Sequence, residues 1–199
     1  ASLIQQRIQV AGTGKIYFIS DFDFPGNEEV VKKTFFRLEK KGFLVRLSHG
    51  IYLYPNRSEK LGILYPSINE IAQAIASRDK AEIRATGALA MNILGFSTQV
   101  PMNAVFITNG SSRKIQIGKR KITFKQAAPK NFHFKSELMA LLVFALKEIG
   151  QNNINEDITS KIEELLSLKK ELPIYQKDLA LAPVWIRKIV IHVINKLAH

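Results

Sequence analysis

The chain has 199 residues, 46% of them hydrophobic, and carries 29 Lys and Arg side chains against 17 Asp and Glu. This length and apolar content suffice for one large or two small domains with a core, which excludes a disordered tail. Cysteine is absent, so disulfides, thiolate zinc sites and cysteine nucleophiles are excluded. Neither a signal peptide nor a membrane-spanning helix fits the sequence, and we expect a soluble, cytoplasmic protein with no membrane partner.

Positive charge is concentrated in the middle of the chain. Residues 1–57 hold nine basic and five acidic side chains, residues 58–135 hold twelve and four, and residues 136–199 hold eight of each. Residues 83–136 contain no acidic side chain. This distribution indicates an acidic partner, most often nucleic acid. A basic surface that serves only solubility is the alternative.

The first 57 residues have the element order of a winged helix-turn-helix module with one helix shortened or replaced. Helical spacing, β-branched runs and turn residues predict four elements. They are a helix over 2–10 with Ser2 as a possible cap, a strand over 15–20, a helix over 27–41 and a β-hairpin over 43–55. Asn27 is the expected N-cap of the second helix, and Gly42 its end.

The helix predicted over 27–41 has an apolar face and a basic face. Apolar side chains recur at positions i, i+4 and i+7, namely at Val31, Phe35 and Leu38. Basic side chains follow the same spacing on the opposite side, at Lys33, Arg37 and Lys40, with Lys32 and Lys41 beside them. One apolar and one basic stripe suit a helix in the DNA major groove. An ordinary amphipathic helix with solvated charges is the alternative.

The adjoining hairpin favours DNA. Arg46 and His49 lie near its predicted tip, where a wing would hold the flanking backbone or the minor groove. We therefore expect Lys32, Lys33 and Arg37 to meet the major groove. Lys40 and Lys41 would add phosphate contacts, and Arg46 and His49 would hold the backbone from the wing.

The rest of the chain predicts an α+β fold with a short antiparallel sheet and C-terminal helices that cover it. Residues 58–66 are interpreted as a linker, and Ser67 and Glu70 as a capping box. The predicted elements are helices over 67–76, 86–94, 136–149, 155–170 and 183–198, and strands over 104–108, 114–117 and 121–125. We predict a winged helix over 1–57, a basic α+β domain over 58–135 and a helical extension over 136–199.

Basic side chains also gather around the predicted strands and turns of the middle region. This second basic patch comprises Arg84, Arg113, Lys114, Lys119, Arg120 and Lys121. It could extend a DNA footprint, hold RNA or dock an acidic protein, and the sequence does not choose among these.

No catalytic constellation can be assembled, so the sequence predicts a protein that is not an enzyme and that has no metal or cofactor. The histidines, at positions 49, 133, 192 and 199, lack metal-ligand spacing. The segment from Gly12 to Lys15 is predicted to be a turn, because a phosphate-binding loop has four residues between its glycines and Ser or Thr after its Lys.

Several motifs resemble those of the AbiEi-like antitoxins of type IV toxin–antitoxin systems. In the first 57 residues they are Gly14-Lys15-Ile16-Tyr17-Phe18, Phe36-Arg37-Leu38 and Gly50-Ile51-Tyr52. The most distinctive stretch is Leu94-Gly95-Phe96-Ser97-Thr98-Gln99-Val100-Pro101, followed by Thr108-Asn109-Gly110. The resemblance covers about residues 4–135 and points to a small AbiEi-related subfamily.

This resemblance implies a bacterial transcriptional autorepressor whose winged helix binds double-stranded DNA, at inverted repeats in its own promoter. It implies a neighbouring nucleotidyltransferase-like toxin as functional partner, without a stable complex, and an antitoxic second domain. The alternative is an interaction protein whose basic second domain binds RNA or an acidic toxin, with the winged helix as scaffold.

Overall fold

The computed structural model describes residues 3–22, 27–168 and 172–197. It is a mixed α+β protein with small, mainly antiparallel sheets and C-terminal helices, which confirms the predicted α+β class. The chain forms two compact units, residues 1–75 with 115–119, and residues 76–114 with 120–199. The division into domains over 1–57, 58–135 and 136–199 stays a prediction.

The predicted elements at the N-terminus are present. They are α1 (Leu3–Ala11), β1 (Lys15–Phe18), a 3₁₀ helix (Ile19–Phe22), α2 (Glu28–Lys40), β2 (Val45–Ser48) and β3 (Ile51–Tyr54). The strands form an antiparallel sheet in the order β1-β3-β2. The Asp21 carboxylate accepts the Phe18 N–H at 3.1 Å, so the predicted strand stops early and turns into the 3₁₀ helix. The possible cap Ser2 lies outside the described residues.

The ends of α2 follow the predicted signals with one difference. Asn27 stands at the N-cap position, but its side chain makes no capping hydrogen bond. At the other end Gly42 has φ +67°, a conformation that favours glycine. The N–H of Phe43 donates to the Leu38 carbonyl at 2.9 Å, so the chain reverses there and enters β2.

An aromatic core holds α2 against the sheet. Phe35 is fully buried, and its ring centroid lies 5.3 Å from that of Phe22 and 5.0 Å from that of Tyr52. Val31 and Leu38 complete this face of the helix. Phe22 belongs to the 3₁₀ helix and Tyr52 to β3, so a single side chain joins three elements.

Residues 58–66 form structure instead of the predicted linker. A second antiparallel hairpin pairs β4 (Asn56–Ser58) with β5 (Gly62–Leu64), and Gly62 at φ +70° closes its turn. The next helix is α3 (Ile68–Arg78). Its predicted capping box is confirmed, because Ser67 Oγ accepts the Glu70 N–H at 3.1 Å and the Glu70 carboxylate accepts the Ser67 N–H at 2.7 Å.

The second unit contains a four-stranded sheet and most of the helices. The remaining elements of the chain are β6 (Ile83–Ala85), α4 (Gly87–Ile93), β7 (Asn103–Thr108), β8 (Arg113–Ile117), β9 (Arg120–Gln126), α5 (Glu137–Ile149), α6 (Glu156–Leu168), α7 (Leu172–Asp178) and α8 (Val184–Leu197). Of these, only residues 115–117 of β8 are grouped with the first unit. Further 3₁₀ turns occur at Pro129–Phe132, Gln151–Asn153 and Leu179–Leu181.

The sheet order is β6-β7-β9-β8, and β7 and β9 run parallel. The sequence predicted only antiparallel pairing among these strands. β9 carries the buried Ile122, Thr123 and Phe124, whereas β8 has no buried residue. The more apolar strand therefore takes the inner position beside β7, and β8 forms the edge.

The C-terminal helices build a core around α5. Seven residues of α5 are buried, and the helix packs against α4 and β6. Ser136 Oγ caps it by accepting the Met139 N–H at 3.2 Å. The buried Asp178 at the end of α7 accepts the N–H groups of Lys135 and Ser136 at 2.9 and 2.7 Å, which fixes the start of α5.

Two neighbouring phenylalanines of α2 offer a matched test of this core. Phe35 is fully buried, whereas Phe36 is 54% exposed. We expect Phe35→Ala to lower the free energy of unfolding by about 3–5 kcal/mol, because it leaves a cavity between two aromatic rings. Phe36→Ala should stay within about 0.5 kcal/mol of the wild type. Urea denaturation followed by circular dichroism measures both, and equal losses would contradict the assigned helix orientation.

Candidate nucleic-acid interface

Five of the predicted DNA-binding residues lie together on α2 or its C-cap. Lys32, Lys33, Arg37, Lys40 and Lys41 are all exposed, and we call them the α2 basic face. Because Val31 and Phe35 turn into the core, the 100° step per residue directs Lys33 and Lys40 to the opposite side. Lys33, Arg37 and Lys40 thus share one side of the helix, as their spacing predicted, and Lys32 and Lys41 flank that side.

Arg37 is oriented by its own helix. Its Nη2 donates to Thr34 Oγ1 at 3.2 Å, and that hydroxyl donates to the Val30 carbonyl at 2.8 Å. A guanidinium has five N–H donors, so this one contact orients the group and leaves donors for a base edge or a phosphate. Preorganisation of this kind lowers the entropy lost on binding.

Lys32 has an acidic neighbour. Its Nζ lies 3.8 Å from the Glu29 carboxylate, and both side chains are well exposed. An exposed pair of this kind contributes little to stability. It does place a negative charge beside Lys32, so we expect Lys33 and Lys40 to contribute more than Lys32 to attraction of an anion.

Two large apolar side chains also lie exposed on α2, and the sequence analysis assigned neither of them to the interface. Val30 is 58% exposed and Phe36 is 54% exposed. With Lys32, Lys33 and Arg37 they line a shallow depression on the helix. The exposure of Phe36 could have been read from the sequence, because a side chain one position after Phe35 points about 100° away from it.

The hairpin tip carries the other two predicted residues. His49 and Gly50 form the turn between β2 and β3, and Gly50 has φ +71°. Arg46 folds over this turn, with Nη2 3.1 Å from His49 Nδ1 and Nε 3.4 Å from the Ser48 carbonyl. Since a guanidinium only donates, His49 Nδ1 is the acceptor in this contact. Both side chains are exposed.

Two other arginines of the first unit make contacts that stabilise the fold. Arg57 Nη2 donates to the Gly42 carbonyl at 2.7 Å, which braces the turn that ends α2. Arg7 lies over the Phe22 ring, with Cζ 4.9 Å from the centroid. A cation in this position stabilises the aromatic core.

The residues of the second basic patch lie on different strands or turns of the sheet. Arg84 lies on the edge strand β6, whereas Arg113 and Lys114 lie on the opposite edge strand β8. Arg84 is half-buried, and its Nη2 donates to the carbonyls of Phe132 and Phe134 at 3.3 and 3.0 Å. It therefore holds the segment that leads into α5.

Arg113 is also engaged within the protein. Its guanidinium pairs with the Asp79 carboxylate, which Arg78 approaches at 2.9 Å, and its Cζ lies 5.3 Å from the Phe124 ring centroid. Burial, with a smaller contribution from the neighbouring Arg78, lowers the pKa of Arg113 from its usual value. Arg113 packs on the sheet and is only partly open to solvent.

The remaining members of the patch differ in exposure. Arg120 Nη2 approaches the Pro101 carbonyl at 3.5 Å and is half-buried, as is Lys121. Lys114 and Lys119 are exposed. The three arginines thus interact with protein groups, and the exposed charge of this region is carried mainly by its lysines.

Two further properties concern all described segments, residues 3–22, 27–168 and 172–197. No helix there is both long and apolar enough to cross a membrane. Three or more His, Asp or Glu side chains that could share a metal ion do not come together there either.

Comparison with known protein families identifies the family of this chain. Residues 3–174 match the model described as Family of unknown function (DUF6088). The chain belongs to this family. The match spans all of the first unit except its first two residues and continues through α6 into α7. No curated protein matches this DUF6088 chain.

Arg84 and Lys114 separate a structural role from a surface role within the second basic patch. We expect Arg84→Ala to lower the free energy of unfolding by about 1–3 kcal/mol, because two carbonyl groups lose their donor. Lys114→Ala should change it by less than about 0.5 kcal/mol. Thermal or urea unfolding of both variants checks this, and an Arg84→Ala protein as stable as the wild type would refute the structural role.

Proposed function

We propose that the first unit of this DUF6088 chain binds duplex DNA, with α2 in the major groove and the β2–β3 hairpin against the adjacent backbone. The observation that carries the proposal is the α2 basic face. Lys33, Arg37 and Lys40 line one side of a helix whose other side packs on an aromatic core, and Lys32 and Lys41 flank them. A rigid helix with one cationic face fits the width and charge of the major groove.

The topology supports a winged helix-turn-helix module. Its elements follow the order α1, β1, 3₁₀ helix, α2, β2, β3, with β3 between β1 and β2 in the sheet. In this proposal the 3₁₀ helix Ile19–Phe22 takes the place of the middle helix, α2 is the recognition helix, and the β2–β3 hairpin is the wing.

Each basic residue has a role in the proposed complex. Lys33 and Arg37 read base edges, with Lys32 beside them, because Arg and Lys are the usual donors to guanine O6 and N7. Lys40 and Lys41, at the far end of the helix, contact phosphates. Arg46 and His49 contact the backbone from the wing.

We further propose that this DNA lies in the promoter of the protein's own gene and that binding represses it. The support is the resemblance of residues 4–135 to AbiEi-like antitoxins. The same resemblance supports an antitoxin role against a nucleotidyltransferase-like toxin, without a stable complex. RNA or an acidic toxin on the second basic patch is less favoured, because Arg84, Arg113 and Arg120 already contact protein groups.

Titration of the purified protein into two labelled duplexes tests the proposal. One duplex comes from the region directly upstream of the reading frame, and the other is a scrambled sequence of equal composition. We expect tighter binding to the upstream duplex at both low and high salt. Equal and strongly salt-dependent binding would reduce the interaction to generic electrostatics, and no binding would refute DNA recognition.

Two single substitutions divide base reading from phosphate contact. Arg37→Ala should reduce the preference for the upstream duplex by about 1–3 kcal/mol, since a bidentate base contact is lost. Lys40→Ala should weaken binding to both duplexes alike and reduce the slope of log K against log salt by about one unit. Titrations at four salt concentrations measure both effects.

Lys188→Ala is the matched control, because this exposed lysine lies on α8 in the second unit. It should leave affinity, preference and salt slope at wild-type values. If Arg37→Ala and Lys40→Ala behave as this control does, α2 does not dock on DNA.

The exposed lysines of the second patch test the alternative partner. Lys114→Glu and Lys119→Glu should leave binding to the upstream duplex unchanged if α2 carries recognition. A loss of DNA binding larger than that of Lys40→Ala would move the interface to the second basic patch.

A further inference from the structure

The α2 basic face contains an apolar pair whose position is unusual for a helix that meets only phosphates. Val30, Lys33 and Phe36 follow one another at three-residue steps, so Lys33 stands between two exposed apolar side chains. Six residues of helix cover about 9 Å. A purely electrostatic surface needs cations, and it gains nothing from a half-exposed phenyl ring.

Phe36 makes no contact with this core that would explain why phenylalanine stands at this position. The core contacts of α2 come from Val31, Phe35 and Leu38, and Phe36 lies outside that cluster. The Lys40 ammonium lies 5.4 Å from the Phe36 ring centroid, a cation–π geometry that holds the ring beside the basic side chains. The exposed ring is therefore held within the α2 basic face.

Charge complementarity selects the occupant of this surface. Lys33 lies between the two apolar side chains, and Arg37 and Lys40 lie beside them, so an apolar protein partner would have to leave these charges desolvated or unpaired. In duplex DNA the phosphates meet the cations, and the major groove offers one apolar group, the C5 methyl of thymine. A phenyl ring or a valine methyl that enters the groove can bury that group against carbon.

We propose that Phe36, with Val30 as a second contact, reads thymine C5 methyl groups in the operator. This inference rests on the proposed DNA binding and adds a specificity determinant to it. The two side chains lie about 9 Å apart along the helix and about 120° apart around it, so they contact thymines of two different base pairs. The Lys33 side chain faces the base pairs between them.

Replacement of thymine by deoxyuridine tests this directly, because it removes only the methyl group. Each thymine of the upstream duplex is replaced in turn, and the affinity of the wild-type protein for each modified duplex is measured. We expect two sensitive positions at different base pairs, each about three- to tenfold weaker, as burial of a single methyl group predicts. Other thymines should be unaffected.

The Phe36→Ala variant tests the protein side of the same contact. This variant should bind the parent duplex more weakly than the wild type does. It should also lose discrimination between thymine and deoxyuridine at one of the two sensitive positions and keep it at the other. Val30→Ala should show the reverse pattern. Tyr65→Ala is the matched control, since Tyr65 is an exposed aromatic residue of the same unit, 62% exposed, and it should keep both sensitivities.

Three results would overturn the inference while leaving DNA binding intact. One is wild-type affinity for every deoxyuridine duplex, and another is full discrimination by Phe36→Ala. The third is a change of oligomeric state in Phe36→Ala, seen by sedimentation, without any change in discrimination, which would assign the ring to a protein contact. Absence of preference for the upstream duplex would instead refute the proposed function itself.

Discussion

The burial of the Phe35 ring between Phe22 and Tyr52 is the contact on which the first unit depends. It joins α2 to the 3₁₀ helix and to the central strand β3. Strand β3 also pairs with β2, which carries Arg46. One aromatic contact therefore sets both the rotation of α2 and its position relative to the hairpin. Phe36 lies about 100° further around the helix than Phe35, on the side away from the core, and its ring is exposed.

Much of the fold could be predicted where local chemistry decides it. The period of Val31, Phe35 and Leu38, the stop at Gly42 and the capping box of Ser67 are short-range signals, and each matches the structure. The parallel pair of β7 and β9 and the β4–β5 hairpin did not follow from the sequence. Strand neighbours depend on which strand is buried in three dimensions, and a three-residue strand carries almost no periodic signal.

The candidate site was predictable in part for a related reason. Helix spacing alone grouped the basic residues of α2, because positions i, i+4 and i+7 share a face. Composition grouped the second basic patch, but composition does not show which arginines contact carbonyls or carboxylates. Arg84 and Arg113 meet protein groups more than 30 residues away in sequence, so their engagement required the tertiary structure.

The most direct test of the central claim is a lysine footprint, since both candidate surfaces carry exposed lysines. The rate of acetylation of each lysine is measured by mass spectrometry, with and without the upstream duplex. Binding through α2 predicts protection of Lys33 and Lys40 and an unchanged rate at Lys114. Protection of Lys114 with free reaction at Lys33 and Lys40 would contradict the account.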